Sequence, residues 1–287
     1  MNLGTRASLL AGFSVLGVAP ALAQGPQAPA APPAVLWIGR EEVKVGKDAA
    51  HEANEAMWAS AYAKLNLPAP NLAMTSLTGP GEAWFLMGYP SWEEWEKTMK
   101  AEEGNEAYST EIKKLWAQDG DLLSRSSAII ATYRPSMSYR AGTNLAARRY
   151  MEVQLIRVKP GRGREFADNW REVVAAHEKA KMEESWAFYQ VASGMPDGTY
   201  LYLQAHTSLA EVDQTAQTHG AAAYRDAVGE AGRARAREAT QLAVEFSQTL
   251  YFAFNPKMST VPKAWMDADP FWAPKAMVAA KPAEKKK

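Results

Sequence analysis

The chain has 287 residues, 47% of them apolar and 22% charged, with Lys+Arg and Asp+Glu equal at 32 each. That length exceeds a usual single domain and predicts two, each able to bury a core. Balanced charge argues against a nucleic-acid binder held by bulk electrostatics, and the lack of cysteine removes disulfides, thiolate metal sites and cysteine nucleophiles.

The chain opens with "MNLGTRASLLAGFSVLGVAPALAQ", which has one cation at Arg6, an apolar run over 7–19 and small residues at Ala21 and Ala23. This layout predicts a secretory signal over residues 1–23, cleaved after Ala23. About 13 apolar residues are too few to cross roughly 30 Å of hydrocarbon. No later segment is longer and apolar enough, so the expectation is an exported protein, periplasmic or secreted, with no membrane span. Residues 24–33, "QGPQAPAAPP", read as an extended Pro/Ala linker.

The next stretch is written twice. "VLWIGREEVKVG" and "RRYMEVQLIRVKPG" are β-rich runs ending at a Gly turn. In the second, Met151, Val153 and Leu155 alternate with Glu152, Gln154 and Ile156. A helix follows each, about 49–65 and 164–181, with Trp58, Tyr62 and Leu65 in one and Phe166, Trp170, Val173 and Val174 in the other at helical spacing. Hairpins come next, turning at "GPG" and "GMPDG". Ser91 and Ser208 then read as N-caps with an acid three residues on. The helices they start are interrupted at Gly104 and Gly220, and final strands "AIIATYRP" and "TLYFAFNP" close each copy.

The order is βαββαβ, twice: residues 34–135 and 148–256, joined by a linker at 136–147 and followed by a Pro- and Lys-rich tail at 257–287. Both helices of such a ferredoxin-like unit cover one face of its sheet and leave the other bare. That bare face is on the order of 450 Å², near the upper limit for a soluble surface. Covering two with each other removes roughly 900 Å² from water, worth up to roughly 20 kcal/mol before entropy and polar desolvation. The predicted fold class is therefore α+β, two tandem ferredoxin-like domains pairing sheet to sheet as a dimeric α/β barrel within one chain. The chain is then a monomer with an internal pseudo-dimer, or a higher homo-oligomer of such units.

"YMEVQLIRVKPGRGREFADNW" resembles the opening of the NIPSNAP family, a strand, a Lys-Pro-Gly turn and a helix leading to a Trp. The wider group is the dimeric α/β-barrel superfamily, which includes antibiotic-biosynthesis and haem-degrading monooxygenases. The resemblance implies the fold over both copies. The first copy departs from it, with Val45 in place of the Pro and His51 where Phe166 stands.

No dinucleotide, P-loop, nucleophile-elbow, HExxH or EF-hand pattern is present. Four histidines, His51, His177, His206 and His219, are scattered, so no metal site is expected; His51 and Glu55, at i and i+4, read as a surface contact. On the third strand of the second copy, Leu201, Leu203 and Ala205 are expected under the helices. Tyr200, Tyr202, Gln204 and His206, with Glu152 and Gln154, are expected on the face turned to the other sheet, opposite Phe85, Met87 and Tyr89. These residues either satisfy one another or line a small-molecule pocket.

A second candidate is the cleft between helices and sheet, which holds the substrate in the resembling monooxygenases; His177, Trp186, Tyr189 and His219 lie there. His219 stands at the helix interruption, matched by Glu103 in the first copy. His206 and His219 are the candidate proton-transfer groups. The haem-degrading set of Asn, Trp and His is not matched, because the first strands carry no Asn and Trp84 and His219 lie in different copies. No cofactor is predicted; haem stays open as a minor alternative. The expected function is binding of a small aromatic or amphipathic molecule, with cofactor-independent monooxygenase or isomerase activity open. The alternative is a non-catalytic interaction or scaffold module of the cell envelope, for which the absence of a strong catalytic motif and the Trp-bearing tail are the arguments.

Overall fold

The computed structural model describes residues 31–64, 71–142, 144–219 and 222–273. The segment 1–23 expected to be a secretory signal, Leu65, Gly220 and residues 274–287 lie outside them. The first copy runs β1 (Val35–Val43), α1 (Asp48–Lys64), β2 (Leu72–Ser76), β3 (Glu82–Tyr89), α2 (Trp92–Glu103), α3 (Glu106–Leu122) and β4 (Leu123–Tyr133). The second runs β5 (Tyr150–Val158), α4 (Gly163–Ala180), β6 (Ala187–Ser193), β7 (Thr199–His206), α5 (Leu209–His219), α6 (Ala222–Ala243) and β8 (Val244–Phe254), and a short α7 (Lys263–Ala268) follows.

The copies match in detail. Gly46 and Gly161 both sit at φ 79 after the first strand, where a side chain would strain the backbone and Gly does not. Both first strands shift register at the same place, between Glu42 and Val43 and between Arg157 and Val158. Capping differs. Ser91 Oγ accepts from the Glu94 N–H at 3.2 Å, as predicted. In the second copy the Glu211 carboxylate accepts from Thr207 N–H at 2.6 Å and from its hydroxyl at 2.7 Å, one residue before the expected serine. At the first helix interruption, Asn105 caps α3 by accepting from Tyr108 N–H at 2.9 Å.

Strand order is the same in both sheets, β4-β1-β3-β2 and β8-β5-β7-β6, all antiparallel. Two further seams join them. β2 pairs with β8 from Met74–Phe254 to Ser76–Phe252, and β4 pairs with β6 from Ile130–Ser193 to Tyr133–Tyr189. The sheets thus close edge to edge into an eight-stranded barrel, which leaves no strand edge unpaired. The fold is α+β, a dimeric α/β barrel of two ferredoxin-like units in one chain.

The expected faces are reversed. Leu36, Ile38, Trp84, Leu86, Met151, Val153, Leu155, Leu201, Leu203 and Ala205 form one cluster inside the barrel. Tyr200, with Ile156 and Phe188, packs instead under α4 against Phe166 and Trp170. By strand alternation Glu152, Gln154, Tyr202, Gln204 and His206 share that outer face, as do Phe85, Met87 and Tyr89 in the first copy. The physical reason is size. The lumen of an eight-stranded barrel is only wide enough for side chains to fill, and aliphatic residues from both sheets fill it. The long tyrosine rings fit against α4, with Tyr200 at 4.9 Å from Phe166 and Tyr202 at 5.8 Å from Trp170, ring centre to ring centre.

The connection between the copies is no loose tether. Met137, Tyr139 and Ala146 are buried, Tyr139 bridges Trp186, and Trp186 Nε1 donates to the Met137 carbonyl at 2.9 Å. Among the described residues, no helix is long and apolar enough to cross a membrane.

Candidate functional site

At the end of the barrel where β1, β2, β5 and β6 begin, the lumen is not filled. A cavity of about 650 Å³ opens there, walled by Leu36, Leu72, Leu86, Met151, Leu203 and Ala205. Its roof is the segment after β8. Ala73 N–H donates to Ser259 Oγ at 2.9 Å, Asn71 and Thr260 form a β-bridge, and Val261, Pro262, Ala264 and Trp265 complete the lining. The roof is anchored further along. Trp272 is 2% exposed and its Nε1 donates to the Ala146 carbonyl at 2.7 Å. Arg149 pairs with Asp269 at 2.5 Å and stacks over the Phe271 ring at 4.2 Å. At the other end of the barrel the lumen is closed: Arg40 donates to both oxygens of Glu82 at 2.7 and 2.9 Å, Trp84 Nε1 donates to Glu82 at 2.6 Å, and the guanidinium lies 4.7 Å from the Trp84 ring.

Among the described residues, the lining contains no carboxylate, imidazole or amine. Its polar members are engaged locally: Asn71 Oδ1 accepts from Thr260 N–H at 3.3 Å, Asn144 Oδ1 from Ala146 N–H at 3.2 Å, and Tyr189 OH donates to the Pro33 carbonyl at 3.1 Å. Burial, with Tyr133 beside it, raises the Tyr189 phenol above its ordinary range, so it stays a neutral donor. Such a wall suits an apolar or aromatic molecule with few polar groups and supplies no base.

Of the residues expected from sequence, Trp186 and Tyr189 border this cavity. The others, His219 aside, are on the far side of the barrel wall. Tyr202 donates to Gln204 Oε1 at 2.5 Å, Tyr251 donates to Glu152 Oε2 at 3.2 Å, and His206 Nε2 lies 3.6 Å from Glu152 Oε2. His206 is fully buried and neither ring nitrogen has a hydrogen-bond partner among the described residues. Burial first, then the Glu152 and Glu184 charges and Tyr251, pushes the Tyr202 phenol well up, and burial with Glu152 pushes Tyr251 up to about 12. His177, on α4, shares its Nδ1 with the Val173 carbonyl at 2.8 Å and packs among Trp186 and Tyr224. Gln154 is peripheral, reaching Thr249 at 3.4 Å. Tyr200 packs as core. His219 ends α5, and its side chain lies outside the described residues.

The aliphatic wall was assigned to the wrong face from sequence, so its residues were missed as lining. The signal that could have located the site was the tail: Trp265, Phe271 and Trp272 in a Pro-rich segment need something to pack on.

In the first copy the same outer layer is ionisable. His51 and Glu55, expected as a surface contact, are 2% and 5% exposed. The reason is Glu41, which β1 turns toward α1: its Oε2 lies 2.7 Å from His51 Nε2, and Glu55 Oε1 lies 3.9 Å from the same nitrogen. Burial, then the Glu41 and Asp119 charges, pushes the Glu55 carboxyl up to about 10. Asp119, from α3, accepts from Asn54 at 2.5 Å and from Trp58 Nε1 at 3.3 Å.

The haem alternative finds no support at the barrel cavity, where no histidine is among the described lining residues. Where His177 sits, the space under α4 is filled by rings, with Trp170 4.5 Å from Phe188 and 6.2 Å from Trp186.

No protein-family model matches the chain, and no curated protein matches it. Solved structures do. A candidate monooxygenase from Fusobacterium nucleatum is 15% identical over 78% of this chain and 93% of that one, with a TM-score of 0.49. A candidate monooxygenase from Lactobacillus acidophilus is 7% identical over 77% and 93%, with a TM-score of 0.49. A chlorite dismutase variant from Candidatus Nitrospira defluvii is 9% identical over 78% and 93%, with a TM-score of 0.45. At these identities no residue role passes from one chain to another.

Proposed function

We propose that this protein is exported and binds a small apolar or aromatic molecule in the mouth of its barrel, under the segment that follows β8. One observation carries the reading: a preformed cavity of about 650 Å³ with an aliphatic wall, neutral polar groups and an aromatic-anchored roof. Its size falls within the range of ordinary small-molecule sites. Binding is favoured over cofactor-independent oxygenase or isomerase chemistry, because proton abstraction needs a base within reach of the ligand and the described lining residues include none. The scaffold alternative loses one of its two arguments. The aromatic tail residues that suggested a docking element turn inward, with Trp272 in the barrel core.

The test is a fluorescent apolar probe, N-phenyl-1-naphthylamine, titrated into the mature chain. Saturable binding at one equivalent is expected, weakened at least tenfold when Leu203→Trp fills the cavity. Absence of saturable binding, or binding indifferent to a properly folded Leu203→Trp variant, overturns the reading. Export is tested separately by fractionating expressing cells and sequencing the mature N-terminus, expected to begin at Gln24.

A further inference from the structure

The outer layer of the first copy contains a cluster that the barrel does not need. The strand and helix that build it align in sequence with β5 and α4 when Gly46 is set against Gly161, which brings the strand ends and the helix starts into register. In that correspondence Glu41 matches Ile156, His51 matches Phe166 and Glu55 matches Trp170. At those three positions the second copy carries apolar side chains and folds the same way. Three buried ionisable groups in place of three apolar ones oppose folding through desolvation, so their presence calls for a ligand.

We propose that Glu41, His51 and Glu55 bind a divalent transition ion of the zinc type on the outer side of the barrel wall, in the first copy only. One donor atom from each lies within 4.8 Å of the others. Donors around a tetrahedral ion with bonds near 2.1 Å stand roughly 3.4 Å apart. The observed separations of 2.7 and 3.9 Å bracket that value, so small side-chain rotations complete the geometry. The second pointer is Glu55 Oε1, which is buried with no hydrogen-bond partner among the described residues. It lies 3.9 Å from His51 Nε2, and a cation bound between the three groups would displace the carboxyl proton and satisfy it. His51 and Glu55 stand one helical turn apart and so present their donors together, and β1 supplies Glu41 opposite. Asp119, held by Asn54 and Trp58, adds negative charge behind them. One imidazole with two carboxylates suits zinc, manganese or ferrous iron over magnesium or calcium, which prefer all-oxygen shells. Three protein donors leave a coordination position for water or a further ligand.

The experiment strips the full-length mature chain with a chelator and titrates it with Zn²⁺, and in parallel with Mg²⁺, by calorimetry. One equivalent of zinc is expected, with no saturable magnesium binding. Glu41→Gln, His51→Gln and Glu55→Gln are each expected to weaken zinc at least tenfold, with far-ultraviolet circular dichroism checking that they fold. X-ray absorption of the zinc-loaded wild type gives a readout that needs no variant, and a shell of nitrogen and oxygen with a single imidazole is expected. No saturable zinc binding, zinc affinity unchanged in the folded variants, or a shell with two or more imidazoles overturns the site.

Discussion

The layers between sheet and helices in the two copies share a backbone and differ in chemistry. Under α4, Phe166, Trp170, Phe188, Tyr200 and Tyr202 interlock with ring centres 4.5 to 6.4 Å apart, and the layer stabilises the fold by burial and ring contacts. Under α1 the corresponding space holds Glu41, His51, Asn54, Glu55 and Asp119, where desolvation opposes folding and hydrogen bonds only partly offset it. The comparison separates what the architecture requires from what it tolerates. At the positions of Ile156, Phe166 and Trp170 apolar side chains are sufficient for a βαββαβ unit of this shape, and the ionisable set Glu41, His51 and Glu55 in their place fits the second role proposed above. Buried ionisable clusters that a fold does not require are common at functional sites.

The comparison has measurable consequences. The largest belongs to the aromatic layer: Phe166→Ala should cost about 3–5 kcal/mol in urea unfolding, because it opens a cavity between α4 and the sheet. A loss under about 1 kcal/mol would mean that the layer relaxes freely and the contrast drawn here fails. Next is Asp119→Ala. It leaves the Asn54 amide and the Trp58 ring nitrogen without their acceptor, at about 1–3 kcal/mol. At the exposed Thr240, which precedes β8 by the same spacing as Asp119 precedes β4, alanine should change stability by no more than about 0.5 kcal/mol. Equal effects at the two positions would remove the distinction between the layers. The smallest concerns the caps. Ser91→Ala should cost about 1 kcal/mol. Ser208→Ala should cost only a few tenths, because Glu211 caps through Thr207 in the second copy. Thermal melts of the two single variants side by side decide this.

Much of the architecture was legible before any coordinates. The Gly46 and Gly161 turns, the two hairpins, the Ser91 cap and the strand-closing prolines are local signals, and each depends on backbone chemistry within a few residues. The site was less legible. Strand alternation divided β5 and β7 correctly into two sets, yet the wrong set was assigned to the barrel. In this fold the helices cover one face of every strand and the lumen covers the other, so both faces are buried and polarity does not label the inside. Leu203 and Tyr202 look equally suited to a core because each is in one.

The sequence by itself determined the duplication, the element order and the need for each bare sheet face to find a cover, since these follow from turn chemistry and from the area a half-sized unit leaves exposed. Only the tertiary structure decided that the sheets bond at their edges through β2–β8 and β4–β6, that the segment after β8 roofs an unfilled lumen, and that Glu41 meets His51 and Glu55. Those are contacts between residues far apart along the chain. Their geometry is fixed by how the barrel closes and how helices settle on it, and no local pattern encodes that closure.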